Sequence, residues 1–101
     1  MSIFTKAAQK DELRPGECKA VKIKGCTIAL YNVNGTYYAT ENTCLHRGGP
    51  LGDGELDGGN IICPWHGWQY DVTTGVNVDN PNSKVETFQV QVHGPNVRVK
   101  I

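Results

Sequence analysis

The sequence lacks several features that would assign it to a particular class of protein. Its longest apolar runs, such as residues 28–30, fall far short of the ~20 residues that a membrane-spanning helix needs. The N-terminal segment holds no apolar core of signal-peptide length. Ten basic and ten acidic residues give a formal net charge of zero, so nothing attracts nucleic acid or an anionic membrane over a long range. We therefore expect a soluble protein in the cytoplasm.

The sequence also lacks a sustained helical period, and its apolar residues instead follow the pattern of β-strands. Residues 17–42 alternate apolar and polar side chains in short runs, with turn signals at Lys24-Gly25 and Asn34-Gly35. Residues 83–101 give two further alternating runs around a His-Gly-Pro-Asn turn. Together with 12 glycines and five prolines, this pattern predicts an all-β fold, a small antiparallel sandwich or barrel in a single domain of residues 1–101.

One region, residues 42–59, interrupts the strand pattern with six glycines and a proline. Such a backbone can turn tightly and approach a ligand closely. The region holds Cys44 and His46, and after sixteen further residues come Cys63 and His66. Each pair combines a thiol with an imidazole in a loop rich in glycine or proline. The two loops are therefore predicted to converge on one metal centre.

Two metal chemistries use two cysteines and two histidines. One is a tetrahedral zinc ion with all four ligands, and the other is a two-iron, two-sulfide cluster with two ligands on each iron. Common structural zinc modules pair cysteine with cysteine and histidine with histidine along the chain. Here each loop offers one of each, the order expected if each loop contributes one ligand to each iron.

Two segments carry a resemblance to a known family. "CLHRGGPL" at residues 44–51 and "CPWHGWQYD" at residues 63–71 resemble the signature of the Rieske iron–sulfur proteins. The length of the chain is similar to that of the soluble Rieske-type ferredoxins. The resemblance implies a Rieske fold, in which a two-loop cluster-binding subdomain of about residues 42–81 is inserted in the β base. Residues 60–63, between the two loops, are predicted to form a short strand.

The resemblance also implies a ligand set and a function. Cys44 and Cys63 would bind the inner iron of one [2Fe–2S] cluster, and His46 and His66 would bind an outer iron near the solvent. Imidazole ligands place the potential of such clusters between about −150 and +300 mV. The implied function is that of a monomeric one-electron carrier, not an enzyme. It would take electrons from a flavin or iron–sulfur reductase and deliver them to an aromatic-ring oxygenase.

Some positions depart from the high-potential Rieske proteins of bc-type complexes. Those relatives have an extra cysteine in each loop, joined as a disulfide, where this chain has Gly49 and Trp65. They have a serine that donates to a bridging sulfide where this chain has Trp68, and they have a membrane anchor that is not found here. Tyr70 does stand where they keep a tyrosine that bonds a cysteine sulfur. The chain therefore resembles the low-potential, oxygenase-associated branch.

Two alternative functions remain open at this point. The first is a small subunit of another redox enzyme, such as a nitrite reductase, although such subunits can keep the β fold without the complete ligand set found here. The second is a zinc-stabilised interaction module. For an electron carrier, we expect docking at the tip of the two loops, around His46, His66, Pro50 and Trp65. The alternative docking surface is the acidic turn that contains Asp53, Glu55 and Asp57.

Two cysteines and one proline lie outside the signature. If Lys24-Gly25 closes a two-residue hairpin, Ile23 faces Cys26 and Cys18 faces Tyr31, so Cys18 and Cys26 are predicted to remain free thiols. Pro81 resembles the proline of a third loop that covers Rieske clusters, and an ordinary turn is an equal alternative.

Overall fold

The computed structural model describes residues 4–44, 48–65 and 67–101. The described residues form strands and two single 3₁₀ turns, at Lys10–Glu12 and Leu51–Asp53. The strands, in chain order, are β1 (Phe4–Gln9), β2 (Cys18–Ile23), β3 (Cys26–Val33), β4 (Thr36–Glu41), β5 (Glu55–Asp57), β6 (Asn60–Ile62), β7 (Gln69–Asp71), β8 (Thr87–His93) and β9 (Asn96–Lys100). Within these residues, no helix is long and apolar enough to cross a membrane.

Six of the strands form one antiparallel sheet in the order β1-β9-β8-β4-β3-β2. The sheet curls so that β1 also packs against β2, which nearly closes it into a barrel. Strand alternation fills the interior: Val97 and Val99 of β9 are fully buried, whereas Arg98 between them lies on the other face. Ile28 and Leu30 of β3 pack in the same core. The all-β prediction is therefore confirmed.

The second sheet is small and lies between β4 and β8 in the chain. Its three antiparallel strands have the order β5-β6-β7, and β6 is the strand predicted between the two loops. Ala29 and Tyr31 of β3 pack against this part of the molecule, together with Ile61 and Tyr70 from the small sheet. The insertion of a two-loop subdomain in the β base is confirmed.

Strand β3 differs from the alternation predicted for residues 17–42. Every residue from 28 to 32 is buried. One face of β3 contributes Leu30 to the barrel core, and the other contributes Tyr31 to the core beneath the small sheet. A strand covered on both faces reads as a continuous apolar run rather than as an alternating one.

Both predicted hairpin turns are present. Lys24 and Gly25 have φ values of 50° and 82°, and Asn34 and Gly35 have values of 52° and 91°, as two-residue turns of this type require. The first turn sets the register of β2 on β3.

In that register Ile23 pairs with Cys26 and Cys18 pairs with Tyr31. The two cysteines therefore do not meet, and both are free thiols as predicted.

Candidate metal centre

The two signature cysteines lie in the core beneath the small sheet. Cys63 directly follows β6, and Cys44 follows β4 after two residues. Their exposed fractions are only 1% for Cys44 and 2% for Cys63, and both pack with Leu51 and Ile61. The structure thus brings together residues that lie far apart in the chain. The other two predicted ligands, His46 and His66, lie outside the described residues.

The first loop is closed at its base by backbone hydrogen bonds. The Cys44 N–H donates to the Gly49 carbonyl over 2.8 Å, and Thr43 forms a β-bridge with Pro50. The Gly48 N–H donates back to the Cys44 carbonyl over 3.0 Å, and Gly48 has a φ of 71°, which favours glycine. Cys44 and Gly49 are therefore fixed to each other at the base of the first loop.

The second loop is closed in the same way. The Cys63 N–H donates to the Trp68 carbonyl over 2.7 Å, beside the pairing of Ile62 with Gln69. Gly67 has a φ of 74°. In both loops, the signature cysteine bonds to the residue five positions later, so each cysteine stands at the fixed base of its loop.

The two loops meet at Gly49. A Cβ atom added there would lie 2.6 Å from the Cys63 Sγ and 3.1 Å from the Trp65 Cγ. The absence of a side chain at Gly49 therefore lets the first loop approach the second. The Trp65 side chain is 48% exposed, and Pro64 beside it is also exposed. The loops thus end in an exposed surface that includes an aromatic ring.

The buried thiols favour the uncharged form while no metal is bound. Burial raises the pKa of the Cys63 thiol, and the nearby Cys44 raises it further, against the opposing effect of the Trp65 N–H. Iron binds the thiolate form of cysteine. A bound iron must therefore offset the free-energy cost of burying the negative charge of the thiolates. The two sulfurs are therefore suited to hold a metal cation, which would stabilise their charged form, rather than to act as a free nucleophile.

Tyr70 supplies a hydrogen bond to one of the sulfurs. Its side chain is completely buried, and its hydroxyl lies 3.3 Å from the Cys44 Sγ. A thiolate has no proton to give, so in the ligated state the hydroxyl is the donor. The expectation that Tyr70 bonds a cysteine sulfur is confirmed.

The segment after β7, which leads to Pro81, packs beside Tyr70. Tyr70 forms a β-bridge with Asn77, and the Val78 N–H donates to the Gln69 carbonyl over 3.0 Å. Pro81 itself lies in the exposed turn that follows. That it covers the cluster remains a prediction.

These features fit the thiolate half of a [2Fe–2S] site. Two buried sulfurs come from two loops that meet, and a buried hydroxyl donates to one of them. Among the described residues, no group of three or more His, Cys, Asp or Glu side chains could hold a metal ion. The acidic turn with Asp53, Glu55 and Asp57 is exposed and provides no second centre in that part of the chain.

The sequence reasoning missed two residues that hold the site, Asn42 just after β4 and Cys18 in β2. The Asn42 side chain accepts a hydrogen bond from the Gly52 N–H, and the Cys18 thiol approaches the carbonyls of Gly52 and Gly54. The only local signal was the Asn two positions before Cys44, because asparagine often bonds to nearby backbone groups. Nothing local pointed to Cys18.

Comparison with known proteins identifies relatives over nearly the whole chain. The Rieske [2Fe–2S] domain family matches residues 4–89. The ferredoxin component of the naphthalene 1,2-dioxygenase/salicylate 5-hydroxylase systems of Ralstonia sp. is 38% identical over 96 residues, which cover 94% of this chain and 92% of that protein.

Comparison with solved structures also identifies chains that are similar over nearly their whole length. A chain from the complex of reduced oxygenase and oxidised ferredoxin in carbazole 1,9a-dioxygenase is 35% identical, with a TM-score of 0.87, over 96% of this chain and 92% of that one. An NADH-dependent nitrite reductase small subunit from Mycobacterium tuberculosis has a TM-score of 0.91 over 100% of this chain and 96% of that one. Its identity is only 22%, so that likeness concerns the fold alone.

Proposed function

Because this chain belongs to the Rieske [2Fe–2S] domain family, we propose that it shuttles single electrons from a reductase to an oxygenase of aromatic rings. The chain contains a Rieske-type [2Fe–2S] cluster and is an electron-transfer component rather than a catalyst. The observation that carries the proposal is the pair of loops closed at Cys44 and Cys63, which meet beneath an exposed tip. Relatives of this chain are ferredoxin components of dioxygenase systems.

The proposed ligands are Cys44, His46, Cys63 and His66. Support for the thiolate pair comes from the burial of both sulfurs and from their position in loops of the same construction. Support for the histidines comes from the sequence, because each lies within a loop whose cysteine is fixed at its base. When bound, the cluster supplies one reversible electron at a potential above that of all-cysteine clusters.

Apolar residues of the chain exclude water from the two cysteine sulfurs. Cys44 and Cys63 are shielded by Leu51 and Ile61, which keeps water and oxidants from the thiolates. The Tyr70 hydroxyl stabilises negative charge at the Cys44 sulfur. At the tip, the exposed Trp65 can contact a partner with apolar surface, as a brief complex requires.

The similarity to the nitrite reductase subunit supports only a common fold, because the sequence identity to that subunit is 22%. The zinc alternative is set aside by membership of a [2Fe–2S] family. We also propose that the carrier works as a monomer in the cytoplasm. The free thiols of Cys18 and Cys26 support a reducing compartment, since exposed and half-buried cysteines persist there.

Electron transfer in a reconstituted system tests the function and the docking surface together. The purified red-brown protein should link a naphthalene-type reductase to its oxygenase, and product should form only when all three proteins are present. Trp65→Ala should slow the transfer with the visible spectrum intact. Val92→Ala is the matched control, because Val92 is 44% exposed on β8, in the large sheet.

The salt dependence separates the two docking surfaces. A complex formed at the tip, which has few charges apart from Arg47, should keep most of its rate from low to moderate salt, because screening weakens mainly exposed charge pairs. A steep fall with salt that is reproduced by Asp53→Asn, Glu55→Gln and Asp57→Asn would place docking at the acidic turn instead. Failure to pass electrons to any such oxygenase, with the cluster intact, would overturn the proposed function.

A further inference from the structure

A short turn between the two loops is held by groups from the large sheet. Residues 50–54, here called the linking turn, connect the first loop to β5. Asn42, which lies between β4 and Cys44, makes two hydrogen bonds to this turn. Its side-chain Oδ1 accepts from the Gly52 N–H over 2.7 Å, and its backbone carbonyl accepts from the Leu51 N–H over 2.7 Å.

The Gly52 peptide is confined from several directions. A Cβ atom at Gly52 would lie 2.6 Å from the Ala20 nitrogen of β2 and 2.8 Å from the Asn42 Oδ1. The Cys18 thiol of β2 lies 3.5 Å from the Gly52 carbonyl and 3.3 Å from the Gly54 carbonyl, at the length of weak S–H hydrogen bonds. Gly52 is buried, so its N–H has no water to replace Asn42 as a partner.

The linking turn reaches the bases of both ligand loops. At one end, Pro50 forms a β-bridge with Thr43, the neighbour of Cys44. At the other end, Gly54 lies so close to the Ile62 carbonyl that no side chain would fit there, and Ile62 directly precedes Cys63. A displacement of the turn therefore moves the backbone at both cysteines.

We propose that Asn42 is a positioning residue for the cluster, whose side-chain oxygen fixes the linking turn and thereby the separation of the Cys44 and Cys63 sulfurs. The inference rests on the proposed function only in taking these two cysteines as ligands. Asn42 acts through the Gly52 N–H. Aspartate at this position would keep an acceptor oxygen of the same reach, whereas alanine would leave a buried N–H without a partner, which is costly.

Three variants of the cluster-loaded protein test this role. Asn42→Ala should lose its visible absorbance in excess iron chelator on the order of tenfold faster than the wild type, as expected for one orphaned buried donor. The electron paramagnetic resonance lines of the reduced protein should also shift. Asn42→Asp should restore both properties. Asn96→Ala, the same truncation in the large sheet, should match the wild type.

Two outcomes would overturn the proposal. One is an Asn42→Ala protein with the chelation half-life and resonance spectrum of Asn96→Ala. The other is an Asn42→Asp protein that is as impaired as Asn42→Ala, since the acceptor oxygen would then not be the group that matters.

If Asn42→Ala does not fold, amide hydrogen exchange in the wild-type holoprotein tests the role of Asn42 instead. The Gly52 amide must then exchange far more slowly than the amide of the exposed Gly58, and equal rates would reject the role of Asn42. None of these measurements involves a reductase or an oxygenase. A wild-type protein that holds its cluster but passes no electrons would refute the proposed function and leave the role of Asn42 standing.

Discussion

The hydrogen bond from Tyr70 to Cys44 predicts a lower midpoint potential for Tyr70→Phe. In the ligated state the hydroxyl donates to a thiolate, and this interaction strengthens when reduction adds negative charge to the site. The bond therefore favours the reduced form, and its loss favours the oxidised form. Because Tyr70 is completely buried, no water is positioned to take over the donation.

The size of the shift follows from the strength of the bond. The two atoms are 3.3 Å apart, an ordinary distance for a hydrogen bond to sulfur, so we expect the bond to favour the reduced over the oxidised state by up to ~1 kcal/mol. For a one-electron couple, that energy corresponds to about 40 mV. Tyr70→Phe should thus lower the midpoint by tens of millivolts, with the ligands and the visible spectrum retained.

A redox titration or protein-film voltammetry of the two proteins measures the shift, and Tyr31→Phe is the control. Tyr31 is also completely buried, but its hydroxyl bonds to the Thr40 hydroxyl over 2.8 Å. Its loss should reduce the free energy of unfolding by ~1 kcal/mol and leave the midpoint unchanged. An unchanged or raised midpoint in Tyr70→Phe, or an equal shift in Tyr31→Phe, would refute the reasoning.

Three further predictions concern the cluster and the thiols. Alanine at Cys44, His46, Cys63 or His66 should abolish the chromophore, and the wild type should contain two irons and two acid-labile sulfides per chain; one metal ion without sulfide would contradict the assignment. The wild-type midpoint should fall in the lower part of about −150 to +300 mV. Cys26 should be alkylated faster than Cys18, because burial and then the Asp53 charge raise the pKa of the Cys18 thiol. The Cys18 rate should still rise with pH above the usual range of a thiol pKa, and a Cys18 profile that levels off within that range would be inconsistent with the raised pKa.

Features that depend on near neighbours in the chain follow from the sequence alone. The hairpin turns at Lys24-Gly25 and Asn34-Gly35 form because two adjacent residues accept positive φ, and each turn then sets the register of its strands. Cys18 and Cys26 could be placed apart for the same reason. The proposed ligand set was also predicted from the sequence, because the spacing within each loop is a local property of the chain.

The tertiary structure shows how those pieces are held together. It showed that Cys44 and Cys63 each close a loop by a bond to the fifth residue onward, and that β3 is buried on both faces. It also showed that Asn42 and Cys18 hold the linking turn, the latter across 34 and 36 positions of the chain. Such contacts leave no periodic or spacing signal, because their partners become neighbours only when the small sheet packs on the large one.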